Sequence, residues 1–317
     1  MVMRNLIAAA VVLGLTAGAL AQKAPKKEKP KHPTTQEIEK ITAAAPAKAT
    51  ATPKKPRKLL AFTKWQGFQH TSINVCAAAL EIMGKKTGAW ETVISNDIAM
   101  FEPQSLAQFD AVFFCSTTGD IFGKDPLDKL PKEQAEQYAR VRKALLDFVA
   151  SGKGIGGSHA ATDCCYTWTE FGDLMGGYFS SHPYSKIFVK LDDPTHPINA
   201  AFKGEGFAFQ DEMYVFGDKT KAPGGYQPYS RKNVRVLLSI DNARTKAGPD
   251  PKFDPAKGGR SDQDYAISWV KKHGEGRVFY CSFGHQHQIF WTPAVLQPYM
   301  DGVQFILGDL EADATPR

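Results

Sequence analysis

His70, His159, His285 and His287 each stand a few residues beyond a short apolar run, in the stretches KWQGFQHTS, GIGGSHAATD and GRVFYCSFGHQH. Thr117, Thr118 and Asp120 follow the run AVFFC in the same way. Imidazoles gathered with one or two carboxylates serve two chemistries. One is proton transfer near neutral pH; the other is the holding of a catalytic divalent metal, zinc or a similar ion, with one coordination position left open. Either requires loops far apart in sequence to meet in one cleft. Asp163, four residues past His159, is expected to support it by a hydrogen bond.

The elements that would bring these loops together are legible from patterning. Lys58 to Thr63, Trp90 to Ser95, Ala111 to Cys115 and Gly154 to Ser158 read as strands. Ser72 to Met83 and Lys132 to Ala150 carry apolar side chains at helical spacing, up to Gly84 and Gly152. Strands alternating with helices predict a mostly parallel sheet covered on both faces, with ligands at the carboxyl ends of the strands. The second half reads as more β-rich: Lys186 to Leu191, Phe207 to Val215, Val234 to Ile240, then a hairpin of Tyr265 to Lys271 with Gly276 to Phe283. A helix near Pro293 to Leu307 closes the chain. Gly152 to Gly157 spells G-x-G-x-x-G, but it leads into a strand, whereas the phosphate-binding version follows a strand and opens a helix. No nucleotide cofactor is expected. The same stretch better fits a sharp strand-to-helix elbow that presents one side chain, His159.

Residues 1–21 read as a secretory signal peptide: Arg4, an apolar core from Leu6, then Ala19-Leu20-Ala21 before Gln22. That run is too short to span a membrane comfortably, and no second one follows, so an exported protein, periplasmic or secreted, is expected. Residues 22–58 hold eleven Lys and Arg against three Glu, with repeated Pro, Ala and Thr. Residues 22–57 are therefore expected to be a disordered basic linker, and 58–317 one domain. The formal net charge of +6 sits in the linker, leaving the domain slightly acidic. A solvated linker accounts for that charge without a nucleic-acid partner. Cys76, Cys115 and Cys281 lie in apolar runs as ordinary buried thiols, and the odd total of five implies no disulfide framework.

The stretches TKWQGFQHTSI (63–73), GKGIGGSHAATD (152–163), GGYFSSHPY (176–184), DPTHPI (193–198), DEMY (211–214) and WVKKHGEGRVFYCSFGH (269–285) resemble, in order, the ThuA-like (trehalose-utilisation) family. The resemblance spans nearly the whole domain. It implies the flavodoxin-like, doubly wound fold of the class I glutamine amidotransferase-like superfamily, here with an additional β-rich C-terminal portion. Amidotransferases of that fold carry a nucleophilic cysteine at the elbow. Here the elbow holds His159, with Cys164 and Cys165 further on, so glutamine hydrolysis through a thiolate is not expected.

The resemblance also carries His70, His159, His182, Asp211, Glu212 and His285 onto family-typical positions. On that basis His159, His182 and His285 are expected as metal ligands and His159, Glu212 and Asp211 as catalytic groups. His70, Trp65, Thr118, Asp120 and Trp291 are expected to contact substrate. Alternation along a strand sends Asp211 and Glu212 to opposite faces, so only one can enter the pocket. His287 departs from the family pattern. His32, His196 and His273 are read as tail, turn and hairpin residues. Trp65, Trp168 and Trp291 have flat faces suited to the apolar side of a sugar ring, provided the ring is exposed. The implied function is a hydrolase or lyase acting on a disaccharide, glycoside or keto-sugar; the rival is a non-catalytic carbohydrate-binding module.

Overall fold

Leu59 and Ala61 enter one hydrophobic core while Leu60 and Phe62 enter another, because successive side chains on a strand point to opposite faces. Ala111, Phe113 and Cys115 divide from Val112 and Phe114 in the same way. The sheet is therefore buried on both sides, as parallel strands require. The structure, a computed structural model, describes residues 32–317. The expected signal peptide (1–21) and residues 22–31 of the basic segment lie outside the described residues.

The strands are β1 (Lys58–Phe62), β2 (Glu91–Ser95), β3 (Ala111–Cys115), β4 (Thr118–Gly119), β5 (Gly154–Ser158), β6 (Asp163–Cys164), β7 (Ser181–Leu191), β8 (Phe207–Val215), β9 (Arg235–Ile240), β10 (Ala266–His273) and β11 (Gly276–Cys281). The helices are α1 (Thr35–Ala44), α2 (Ile73–Thr87), α3 (Pro103–Leu106), α4 (Lys132–Ala150), α5 (Thr169–Met175), α6 (Asn242–Ala247) and α7 (Pro293–Leu307). Nine strands form one mixed sheet in the order β2-β1-β3-β5-β11-β10-β9-β7-β8. The first five are mutually parallel; the remainder continue antiparallel. Helices α2 and α7 cover one face, α4 and α5 the other. Among the described residues no helix is long and apolar enough to cross a membrane.

Glycines let two elements approach more closely than side chains would allow. A Cβ on Gly154 would lie 2.0 Å from the Ile306 carbonyl oxygen, so α7 rests directly on the β5 backbone. Gly84 does not end α2. A Cβ there would meet Trp90 at 2.5 Å, and the helix runs on to Gly88, which adopts the left-handed conformation at φ 68°.

The expectation of a disordered linker over residues 22–57 fails from His32 onward. Thr34 and Glu37 form a reciprocal capping box at the start of α1. Ile41 is fully buried, with Ile38 and Ala45 on the same core cluster; burial of one isoleucine contributes about 2 kcal/mol. The Lys86 ammonium closes the far end by donating to the Thr42 and Ala45 carbonyls at 2.8 and 2.6 Å. Beyond the helix, the Gln304 carboxamide accepts from the Thr50 and Ala51 amides, both at 2.9 Å. Arg57 pairs with the buried Asp309 at 2.6 Å. The composition had suggested too little apolar surface to order this segment, but its polar partners, Gln304 on α7 and Asp309 just beyond it, lie 254 and 252 residues further along the chain.

Asp301 on α7 is buried and accepts from the Thr50 hydroxyl at 2.5 Å and the Gln297 amide at 2.9 Å. Burial pushes its carboxyl up to about 6, against the pull of these two donors. A raised carboxyl favours the folded state below its unfolded value and loses that contribution as pH rises through the folded one. Asp301→Asn should therefore match the wild type near pH 4 and exceed it by about 2–3 kcal/mol at pH 8. Urea denaturation at both pH values checks this; a constant offset would show that the carboxyl titrates normally.

Candidate active site

The loops that leave the carboxyl ends of β1, β5 and β11 converge with β8 on one point. His70, His159, Glu212 and His285 each offer one ligand atom there, all within 4.8 Å of one another. His285 Nδ1 lies 3.3 Å from His159 Nε2 and 3.2 Å from Glu212 Oε2. Glu212 Oε2 is 3.4 Å from His159 Nε2. His70 stands edge-on to His159 and His285, with ring centroids 4.8 and 5.4 Å away. Ligand atoms about 2.0–2.1 Å from a tetrahedral ion lie about 3.3–3.4 Å from each other, so the spacing of His159, Glu212 and His285 fits a divalent metal, with His70 a fourth group of suitable chemistry within 4.8 Å.

His159 is the fixed point of the cluster. It is fully buried and adopts φ 45° at the turn out of β5, a conformation uncommon outside glycine. A short 3-10 helix, rather than an α-helix, follows it. Its Nδ1 lies 3.0 Å from the Ser282 carbonyl. A carbonyl only accepts, so Nδ1 carries a proton, and Nε2 is the ring atom turned to the cluster. Tyr214 tilts against the imidazole at 4.0 Å between centroids.

Alternation on β8 separates the two acids. Glu212 enters the cavity: burial opposes its charge, but hydrogen bonds from His159 and His285 prevail and hold the carboxyl well below the usual range. Asp211 faces away and accepts from the Gly284 amide at 2.7 Å, the His285 amide at 3.2 Å and the Gln286 amide at 3.0 Å. It thus shapes the loop that presents His285 and does not reach the cluster. Burial pushes its carboxyl up, with His159 and the loop amides acting in the opposite direction.

Other expected residues are placed differently. His182 stays outside the four-residue cluster. Its ring is 53% exposed, stacks on Phe179, and reaches the other Glu212 oxygen at 3.2 Å. Asp163 does not support His159; it accepts from the Tyr166 hydroxyl at 2.6 Å and the Lys221 ammonium at 2.9 Å. Thr118 is buried, and its hydroxyl donates to the Phe68 carbonyl at 2.9 Å, so it holds the His70 loop instead of facing a ligand. Trp168 is buried. Trp291 packs toward α1 beneath the Lys40 ammonium, 5.2 Å from the ring centroid. Of the three tryptophans only Trp65 is exposed, at 43%. His196 caps a 3-10 turn and His273 ends β10 before the hairpin turn.

Above the cluster is a cavity of 310 Å³ whose walls include Phe68, His182, Glu212 and Lys221. It shares Phe68, Asp163 and Lys221 with a neighbour of 340 Å³ that reaches Asp120 and Thr167. Phe68 is 59% exposed at this shared wall. Burial raises the Asp120 carboxyl above its usual value. Sequence reasoning missed Phe68, Tyr214 and Lys221. The first two lie inside the stretches TKWQGFQHTSI and DEMY, whereas Lys221 lies in a Gly- and Lys-rich loop that carries no distinguishing signal. All five cysteines are free and buried. Burial pushes the Cys164 thiol well above its ordinary value, which disfavours the thiolate.

The sequence pattern of the ThuA family, described as trehalose utilisation, matches residues 58–306. Among solved structures, the chain is similar to a ThuA-like protein of Bacteroides uniformis, with 19% identity and a TM-score of 0.54, covering 80% of this chain and 93% of that one. It is also similar to a ThuA-like protein of Parabacteroides merdae, with 16% identity and a TM-score of 0.53, covering 83% and 98%. At these identities the likeness concerns the fold. No curated protein matches. With the family pattern running from the start of β1 almost to the end of α7, the chain belongs to the ThuA family.

Proposed function

We propose that this protein is an exported sugar-processing enzyme, a hydrolase or lyase. Its reactive centre is a divalent metal site of His70, His159, Glu212 and His285. The observation that carries this reading is the 3.2–3.4 Å spacing of the ligand atoms of His159, Glu212 and His285. A bound divalent ion would polarise a carbonyl or a sugar hydroxyl. His182, half-exposed with its Nδ1 3.2 Å from the outer oxygen of Glu212, would move a proton at the cavity mouth. Lys221 and Asp163 on the wall offer a donor and an acceptor to hydroxyl groups. The exposed Phe68 face suits the apolar side of a ring, and the adjoining cavity leaves room for a second ring. The family's association with trehalose use supports a sugar substrate, and the signal-like residues 1–21 support export.

The exposed Phe68 also favours a second reading, a carbohydrate-binding module that needs no metal. Elemental analysis followed by a screen of disaccharides and their keto forms, with and without chelator, separates the two. The enzyme reading expects about one equivalent of metal and turnover that chelator removes and added ion restores. Metal-free protein that binds sugars regardless of chelator would leave only the module.

A further inference from the structure

The geometry points to His287 as a positioning residue through which helix α1 sets the geometry of the reactive centre; this rests on the metal reading above. His287 Nδ1 lies 2.6 Å from the Glu37 carboxylate of α1, and Nε2 lies 2.8 Å from the Thr71 hydroxyl. Thr71 follows His70 directly, and His287 is two residues beyond His285. One imidazole therefore links the two loops that carry His70 and His285, and joins both to a helix from the amino-terminal arm. Nδ1 donates to the carboxylate, and Nε2 shares a hydrogen bond with the Thr71 hydroxyl. Both ring nitrogens are engaged in this way, so His287 supplies no ligand to the centre.

Glu37 is itself fixed. Its other oxygen accepts from the Thr34 amide at 2.8 Å and the Thr34 hydroxyl at 3.0 Å, and α1 is anchored by the buried Ile41. On the inner side, the Asp211 carboxylate holds the backbone at 284–286. The His285 loop is thus clamped from two directions, by β8 within and by α1 without. Ligand groups must be held to about 0.5 Å for a site to work, and losing an outer support of this kind costs about 10–100-fold in metal affinity.

The test uses cobalt(II) added to the metal-free full chain, because its visible bands report ligand geometry. Thr71→Val removes the hydroxyl while keeping shape, and it leaves α1 docked. Glu37→Ala cuts the link at the helix, and Glu37→Gln restores an acceptor oxygen. The expected result is a shifted band and about 10-fold or greater loss of cobalt affinity in Thr71→Val and Glu37→Ala, with recovery in Glu37→Gln. Should Glu37→Ala fail to fold, Thr71→Val decides alone, its metal-free melting point being the control. Wild-type bands and affinity in the variants would make the helix a mere staple and overturn the inference. A wild type that takes up no cobalt overturns the metal centre, and this inference with it.

Discussion

His159→Ala is expected to remove stoichiometric metal and to lower sugar turnover by at least about 100-fold. The imidazole is the most enclosed member of the cluster, and its Nε2 is within 3.4 Å of both Glu212 and His285. Among the described residues, His182 is the nearest further imidazole, and it reaches Glu212 only from the opposite oxygen. Deleting the ring also empties the space against Tyr214, which should cost about 2–3 kcal/mol of stability, by analogy with other large-to-small core changes. Metal content, turnover and urea denaturation should be read on the same preparation. Undiminished metal in a folded variant would remove His159 from the centre.

The second large effect is expected at a residue that does not touch the centre. Asp211→Ala leaves the amides of Gly284, His285 and Gln286 without the carboxylate that now accepts from them. Hydrogen bonds to a charged acceptor contribute about 1.5–3 kcal/mol each, and buried donors left unsatisfied add to the loss. A destabilisation on the order of 3–5 kcal/mol is expected, together with weaker metal binding because His285 is no longer held. Glu212→Gln should show the opposite profile, with folding close to wild type and metal lost. Chemical denaturation and metal titration on both variants separate these roles. Equal stability in Asp211→Ala and the wild type would mean that the loop does not depend on its carboxylate.

Much of the fold was legible because the central strands obey simple patterning. AVFFC is apolar throughout and is buried on both faces as β3; GIGGS is β5, and the hairpin over His273–Gly276 lies where its turn residues predict. Placing His70, His159 and His285 beyond strand ends was enough to bring them together, and period-2 alternation separated Glu212 from Asp211. What the sequence hid was side-chain partnership over long distances. Residues 34–57 look like a solvated tail until Gln304, Asp301 and Asp309 are seen to receive them. Asp163 looks like the natural support for His159, but the Ser282 backbone takes that place, and a backbone carbonyl has no signature in sequence. Thr118 faces inward because its hydroxyl is used to brace Phe68, which the β4 pairing with β6 allows.

The mixed sheet has a consequence for how such a centre would come into being. All three imidazoles emerge from the parallel half, while the carboxylate comes from the antiparallel half, on its outermost strand. Neither half alone could hold the ion, so a bound ion would behave as a rivet across the seam. It would add its binding free energy only to the fully joined sheet, making the two halves melt together when loaded and exposing any tendency to part when stripped.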